Sequence, residues 1–373
     1  MIDRLRTERP LTLAPKVLAL GLILFALLYV LFITKPLGAN TGNWRTTSSG
    51  SAVHDFGTFL SIVLDSITFA GLLFIVASGF ALIFGLMRVV NMAHGSYYLL
   101  GGYIAYEIQQ SMTGQGFAIA SADVNTWEWV LPLLVAAACI AVVGLITQQL
   151  FLRWNQGQDL RQALITIALS VIVADQVIAH FPRAGQFQVG GGNAVSLTWP
   201  GWLDDRINLH IAGVEYSRAR IAMFTIGVAV GVGLWLWLYK TRTGMIIRAG
   251  VDDQQMTSAL GVNIQKTFAI AFVVGSALAA VGAVVGSSQG NVSSGQDGQW
   301  LLNSLVVVIV GGMGSIFGAA AGSVLYALVL NFSGSYLPTS GNECCTQYSI
   351  VFTFVLIALV LAFRPRGLYG RDG

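Results

Sequence analysis

The stretch Thr243-Gly244-Met245-Ile246-Ile247-Arg248-Ala249-Gly250-Val251-Asp252-Asp253-Gln254-Gln255-Met256-Thr257-Ser258-Ala259-Leu260-Gly261-Val262-Asn263 separates two apolar runs, residues 221–239 and 267–288. Each run is long enough to cross lipid as a helix. A turn between adjacent spans needs only a few residues, and the polar connection at 240–266 uses many more. Its internal pattern accounts for the excess. Asp252 or Asp253 suits the start of a short helix, where a carboxylate accepts from unpaired backbone N–H groups, and Gly261 suits a left-handed stop. Met256, Ala259 and Leu260 fall three and four apart and so share one helix face. The segment reads as an amphipathic knob outside the bilayer, a surface on which something docks; the competing reading is a solvated connector. Either way the fold class is set: an all-α polytopic membrane protein.

Composition agrees. Of 373 residues, 55% are hydrophobic and only 10% charged, with a mean hydropathy of +0.71, whereas soluble domains carry about a quarter charged residues. The bilayer absorbs this apolar surface, so the chain reads as one integral membrane domain. A net charge of +3 without a basic patch interleaved with aromatics excludes nucleic acid as a partner.

Apolar runs fall at 17–33, 60–84, 95–108, 130–152, 163–181, 221–239, 267–288, 301–310, 316–330 and 348–363. They predict ten crossings or part-crossings, with eight full spans plus broken segments as the alternative. The parts are a tail at 1–16, a first helix at 17–34 and a polytopic body at 60–368 that contains the 240–266 connection. A cleaved leader is the alternative for 17–33, but no small-x-small exit precedes Lys35 and Pro36. Basic residues collect on the cytoplasmic side of membrane proteins. With the N-terminus inside, Arg4, Arg6, Arg9, Lys16, Arg88, Arg153, Arg161, Lys240, Arg242, Arg248, Lys266, Arg364, Arg366 and Arg371 all fall inside. Lys35, Arg45, Arg183, Arg206, Arg218 and Arg220 remain outside, so both termini and the 240–266 connection are expected in the cytoplasm.

Polar residues at membrane depth are costly and point to function. Arg88, Asn91 and His94 recur at spacing three before Gly95, and on a helical turn they would line one face of a translocation path. The structural alternative has Arg88 reaching the headgroups and Asn91 capping the next helix. A second candidate is Gly311-Gly312-Met313-Gly314-Ser315-Ile316-Phe317-Gly318. The run before it is about 15 Å of helix, short of the roughly 30 Å hydrocarbon core, so a half-helix ending in a glycine turn is expected. The two glycine-rich turns hint at an internal repeat. Asn303 and Ser304 face either a pore or a neighbouring helix. Asp65 lies at an outer span end; Asp175 is expected to bond a neighbouring helix, and Cys139 to pack. Trp127, Trp129, Trp199, Trp202 and Trp300 suit an outer interfacial belt.

Enzyme readings fail on the residues. Ser78-Gly79 lacks the earlier glycine of a Gly-x-Ser-Gly motif, the three cysteines and four histidines never reach metal-ligand spacing, and Cys344-Cys345 sits in an outer loop. No Gly-x-x-x-x-Gly-Lys-Ser/Thr sequence exists to cradle ATP phosphates. ATP-powered transport therefore requires another subunit, and no cofactor is expected.

Taken together, Leu82-Ile83-Phe84-Gly85-Leu86-Met87-Arg88-Val89-Val90-Asn91-Met92-Ala93-His94-Gly95 resembles the signature of branched-chain amino acid ABC-importer permeases, the LivH-like subunit. Arg242 to Ala249 with Ala259-Leu260-Gly261-Val262, the 311–318 glycine turn with Gly322, and the closing Phe363-Arg364-Pro365-Arg366-Gly367-Leu368 are similar to it as well. The resemblance implies an inner-membrane permease beside a second homologous permease, two cytoplasmic ABC ATPases and a periplasmic solute-binding protein, carrying branched-chain or other hydrophobic amino acids. Related permeases carry amides, urea or aromatic acids. It also implies that a Glu-Ala-Ala-like loop couples to the ATPase; Gln255-Met256-Thr257 occupies that place and lacks the acid. Asp252, Asp253, Gln255, Met256, Ala259, Leu260 and Gly261 are then the coupling residues. Arg88, Asn91, His94, Gly95, Gly311, Gly312, Gly314 and Gly318 are the gate residues. The rival class is a stand-alone ion-coupled secondary transporter or channel, which requires paired buried carboxylates.

Overall fold

A computed structural model of the chain describes residues 52–87, 90–113, 124–180, 194–208, 215–336, 349–364 and 367–369. The tail at 1–16, the first span at 17–34, Arg88, the Cys344-Cys345 pair and much of the outer loops at 36–59 and 181–216 lie outside the described residues.

In chain order the helices are α1 (Ala52–Met87), α2 (His94–Thr113), α3 (Thr126–Ile146), α4 (Asp159–His180), α5 (Arg218–Lys240), α6 (Arg242–Asp252), α7 (Gln254–Ala259), α8 (Ile264–Gln289), α9 (Gln296–Gly311), α10 (Ile316–Tyr336) and α11 (Ser349–Phe363). A π-helical turn, Thr147–Leu152, extends α3. Six of the described helices are long and apolar enough to cross a membrane, at Phe59–Met87, Thr126–Asn155, Asp159–Val177, Arg218–Lys240, Ile264–Gln289 and Ile316–Ser335. α2, α9 and α11 are shorter or more polar passages between them. The protein is an all-α polytopic membrane protein with broken segments, as its hydropathy predicts.

Burial sorts the spans. α1 is apolar on every side and 83% of its most apolar window is buried, as a helix surrounded by protein must be. α8 runs antiparallel beside it, with Gly79 and Gly275 in backbone contact, the close approach that small residues permit between spans. α4 and α5 lie at the periphery and turn most of their surface outward. Two expectations are corrected there. Cys139 is exposed on α3 rather than packed, and Asp175 is exposed on α4 rather than directed at a neighbouring helix.

At the end of the bundle away from the 240–266 connection, chain returning from the 181–216 loop packs against α8 and the residues after it. Val195 and Val292 exchange both backbone hydrogen bonds at 2.8 Å, and Leu197 N donates to Ser287 O at 3.0 Å. Gln109 bonds both backbone groups of Thr198 at 3.0 Å. The tryptophan belt is therefore only partly a belt. Trp127 and Trp202 are exposed, but Trp199 is buried and stacks on Trp129 at 4.9 Å, whose Nε1 donates to Ser288 Oγ at 2.8 Å. A short hairpin, β1 (Arg206–Asn208) against β2 (Glu215–Ser217), leads into α5. There Arg220 pairs with Asp65 and lies 5.8 Å from the Tyr216 ring centroid, and the Tyr216 hydroxyl meets Thr68 Oγ1 at 3.1 Å. Asp65 thus has a basic partner rather than the second carboxylate a proton relay requires.

Candidate functional site

The 240–266 connection folds as two helices, not one. Thr241 caps α6 by accepting from Gly244 N at 3.1 Å, and Asp253 breaks the helix and caps α7 by accepting from Met256 N at 3.0 Å. Asp252 closes α6 instead of opening α7, a correction to the single helix expected. Gly261, at φ +83°, turns the chain into the Asn263 cap of α8, a conformation that costs a Cβ-bearing residue about 1–2 kcal/mol. Ile247 packs with Leu82, Leu86, Leu238, Phe268 and Ala271, anchoring α6 to the inner ends of α1, α5 and α8. Arg248 Nε donates to Leu238 O at 3.1 Å while its guanidinium covers Tyr239 at 4.1 Å. Gln254 Nε2 donates to Leu86 O. On α7, Thr257 is buried, whereas Gln255 and Ala259 are exposed and Met256 and Leu260 are 61% and 79% exposed. The shared face of Met256, Ala259 and Leu260 points away from the protein, with Met245 of α6 exposed as well.

Beyond the end of α1 the chain re-enters the bundle. Arg88 lies outside the described residues, and Val90 and Asn91 are not helical, so Asn91 and His94 do not share the helical face expected from their spacing. Asn91 Oδ1 accepts from Ala93 N at 3.1 Å and its carbonyl from His94 N at 3.2 Å, which starts α2. His94 is fully buried, with Nε2 3.1 Å from Val76 O and its ring edge-on to Phe80 at 5.4 Å. Val76 lies eleven residues before the end of α1, so His94 reaches well into the bundle. Gly95 abuts the backbone of Asp297 at the start of α9. In this conformation Asn91, His94 and Gly95 are packed interior rather than the wall of an open path.

The second glycine turn lies against the first. α9 ends at Gly311, Gly312 and Gly314 take φ of +107° and +78°, and Gly311 meets the backbone of Gly318 in α10. A Cβ on Gly85 would stand 2.7 Å from Gly314 Cα, and one on Gly314 would stand 3.3 Å from Val251 Cγ1 of α6. Leu368 N and Tyr369 N donate to Val310 O and Gly311 O at 3.0 and 2.9 Å, so the closing segment supplies donors to carbonyls that the end of α9 leaves free. The knob, the end of α1, the glycine turn and the closing motif form one contiguous assembly.

Towards the other end, α1, α2, α8, α9 and α10 enclose a cavity of about 320 Å³. Gln289, Gln299 and Asn303 line it with Phe69, Tyr98 and Trp300. Asn303 was singled out from sequence and does face this space; Ser304 instead turns back on Trp300 O at 2.8 Å. Trp300 stacks on Tyr98 at 4.3 Å rather than joining a lipid-facing belt. The glutamines were missed. Their signal was an amide-rich connection, Gln289 to Asn303, between two apolar helices.

A bundle of spanning helices with re-entrant glycine turns and a structured knob at one end defines a multi-pass transport permease. Residues 62–361 match the family described as branched-chain amino acid transport system permease component, and the chain belongs to that family. It is 28% identical over 324 residues to the high-affinity branched-chain amino acid transport system permease protein BraD of Pseudomonas aeruginosa, covering 84% of this chain and 96% of BraD. It is 27% identical to the permease protein LivH of Escherichia coli, with the same two coverages. Among solved structures, PsaBC from Streptococcus pneumoniae in complex with Fab aligns over 85% of this chain and 97% of its own, at 10% identity and a TM-score of 0.44. The members of the family are transport components, not enzymes.

Proposed function

We propose that the chain is the membrane-spanning permease of an ATP-driven importer in a bacterial inner membrane, carrying branched-chain or other hydrophobic amino acids. Both termini and the α6–α7 knob face the cytoplasm. It works with a second homologous permease, two cytoplasmic ABC ATPases and a periplasmic binding protein. The observation that carries this reading is the knob: an exposed apolar face of Met256, Ala259 and Leu260 on a helix tied through Gln254 to the inner end of α1. Exposed apolar residues outside the membrane suit a protein partner. BraD and LivH are branched-chain amino acid transport permeases, and the similarity to them supports the amino-acid assignment.

Mechanically, a pull on α7 passes through Gln254 and Val251 to the end of α1 and the 311–318 turn. Those are the places where backbone meets backbone and small displacements re-pack. The gate is assigned to Asn91–Gly95 and Gly311–Gly318, which are packed together with their neighbours in the present conformation, and Arg88 is assigned to it from sequence alone.

The test is purification in mild detergent with the neighbouring subunits co-expressed, followed by uptake of labelled leucine in proteoliposomes. Ala259→Glu is expected to abolish ATPase co-purification and uptake together. Uptake by the permease alone along an ion gradient would overturn the reading.

A further inference from the structure

We propose that the cavity between α1, α2, α8, α9 and α10 is a solute-binding station inside the permease, accepting a small molecule with an apolar tail and no net charge. It rests on the importer reading for its directionality, and adds that the permease itself selects its solute, as a second filter after any binding protein.

The size sets the first limit. About 320 Å³ lies at the lower end of small-molecule sites, roughly 300–1,000 Å³, so an amino-acid-sized solute fits and a peptide does not.

The walls set the chemistry. Five amides contribute to the lining: Gln289 at the end of α8, Asn291 just after it, and Gln296, Gln299 and Asn303 on α9. Each amide offers both an acceptor oxygen and donor N–H groups, so together they match a carboxylate and an ammonium group, or neutral polar groups, without counter-ions. Tyr326 OH donates to Asn303 Oδ1 at 2.7 Å, so what Asn303 has left to offer is its N–H pair. Most of the remaining lining is apolar. Trp300 stacks on Tyr98 at 4.3 Å and lies 6.5 Å from Phe69, and Leu72, Met223 and Leu330 complete the surface.

No Asp, Glu, Lys, Arg or His lines the cavity among the described residues. Asp297 is adjacent in sequence, but its backbone abuts Gly95 and it does not line this space. A solute of net charge would leave water here without a partner of opposite sign, and an unpaired charge in such a site is strongly disfavoured. A zwitterion has no such penalty to first order, because its two charges are neutralised within the molecule and solvated by the amides.

The cavity opens to solvent past Gln289, Asn291 and Gln299, which are exposed, and reaches inward to Asn303, which is buried. Asn303 lies seven residues into α9, about 10 Å along its axis. The Val195–Val292 bridge closes the chain over the outer end, and Val292 is fully buried. Gln299 is exposed in the first turn of α9, with Leu302 exposed beside it.

The experiment uses the full-length chain in detergent, without binding protein, and reads ligand-dependent thermal shifts with leucine, its cationic amide and arginine as probes. Leucine at millimolar concentration is expected to raise the melting temperature, and the two cations are not. Gln299→Glu keeps the shape of an exposed side chain and adds one negative charge; it is expected to weaken leucine and to favour leucine amide, each by about tenfold. Asn303→Ala provides a second variant and is expected to weaken leucine. The proposal is overturned if leucine gives no shift with the native chain, if arginine binds it as well as leucine does, or if Gln299→Glu leaves both affinities unchanged. Failure of the importer reading is scored separately, by absence of co-purifying ATPases, so the two outcomes are distinguishable.

Discussion

Gln254 donates its side-chain amide to the carbonyl of Leu86, joining the first residue of α7 to the last turn of α1 across the inner face of the bundle. Leu86 O belongs to a helix end, where carbonyls lack intrahelical partners. The bond is thus a strut between the knob and the most deeply buried span. Gln254→Ala removes it and leaves the carbonyl of the fully buried Leu86 without that donor, so the stability cost is about 1–3 kcal/mol. The expected phenotype is uncoupling: ATPase subunits still co-purify and hydrolyse ATP, while leucine uptake per ATP falls. Equal uptake per ATP in variant and native complexes would show that α1 is not moved through this contact.

Gly261 occupies φ +83° with open space where a side chain would go. Gly261→Val therefore suffers backbone strain without a clash, about 1–2 kcal/mol, and Gly261→Asn suffers much less because Asn tolerates the left-handed region. The ordering Gly, Asn, Val is expected for ATPase retention on a pull-down from detergent. A Val variant that retains the ATPase as well as the native chain would remove Gly261 from the docking geometry.

Gly85 and Gly314 test the meeting of the two glycine turns. Gly85→Ala places a methyl group 2.7 Å from Gly314 Cα, backbone that cannot rotate away. Overpacking of this kind costs typically 1–3 kcal/mol. A lower melting temperature is expected, with transport impaired beyond the loss of folded protein. An unchanged melting temperature would mean that the turns separate freely.

The spans were legible because hydropathy is a property of the chain alone; α1 and α8 were read nearly as they fold. So were the cap at Asp253 and the stop at Gly261, which are local chemistry. What escaped notice depended on neighbours. The burial of Trp199 against Trp129, the pairing of Asp65 with Arg220 and the contact of Gly85 with Gly314 each join residues far apart in sequence. The helical face expected through Asn91 and His94 failed because spacing indicates a face only where a helix exists. The 242–252 helix was overlooked because its glycines, Gly244 and Gly250, argue against a helix by propensity, whereas here they let it lie close against α5 and Leu86.

Trp199 anchors the returning loop segment through its stack on Trp129, yet its indole N–H is buried without a partner among the described residues. The ring is thus stabilising and its nitrogen is not. Trp199→Ala is expected to cost roughly 3–5 kcal/mol and to expose the segment around Val195 to protease. Trp199→Phe keeps a ring and deletes the unsatisfied donor, so its melting temperature is expected to stay near the native value. Equal loss in both variants would point to a hydrogen bond at that nitrogen.

Asp253 separates two accounts of how the knob holds its partner. Its carboxylate accepts from Met256 N at 3.0 Å, the cap on which a six-residue helix depends, and it is exposed enough to meet a cation on a docked subunit. Asp253→Asn keeps the accepting oxygen and discards the charge; Asp253→Ala discards both and costs about 1 kcal/mol of local helix stability. If α7 acts by shape, Asn supports ATPase binding and uptake close to native while Ala impairs both. If a salt bridge to the partner were the grip, Asn would fail as badly as Ala and native binding would weaken steeply with added salt. The apolar face of Met256, Ala259 and Leu260, and the amide of Gln255 where the family resemblance implies an acid, make the first outcome the expected one. Pull-down of the ATPase at low and high ionic strength, run on all three chains, decides between them.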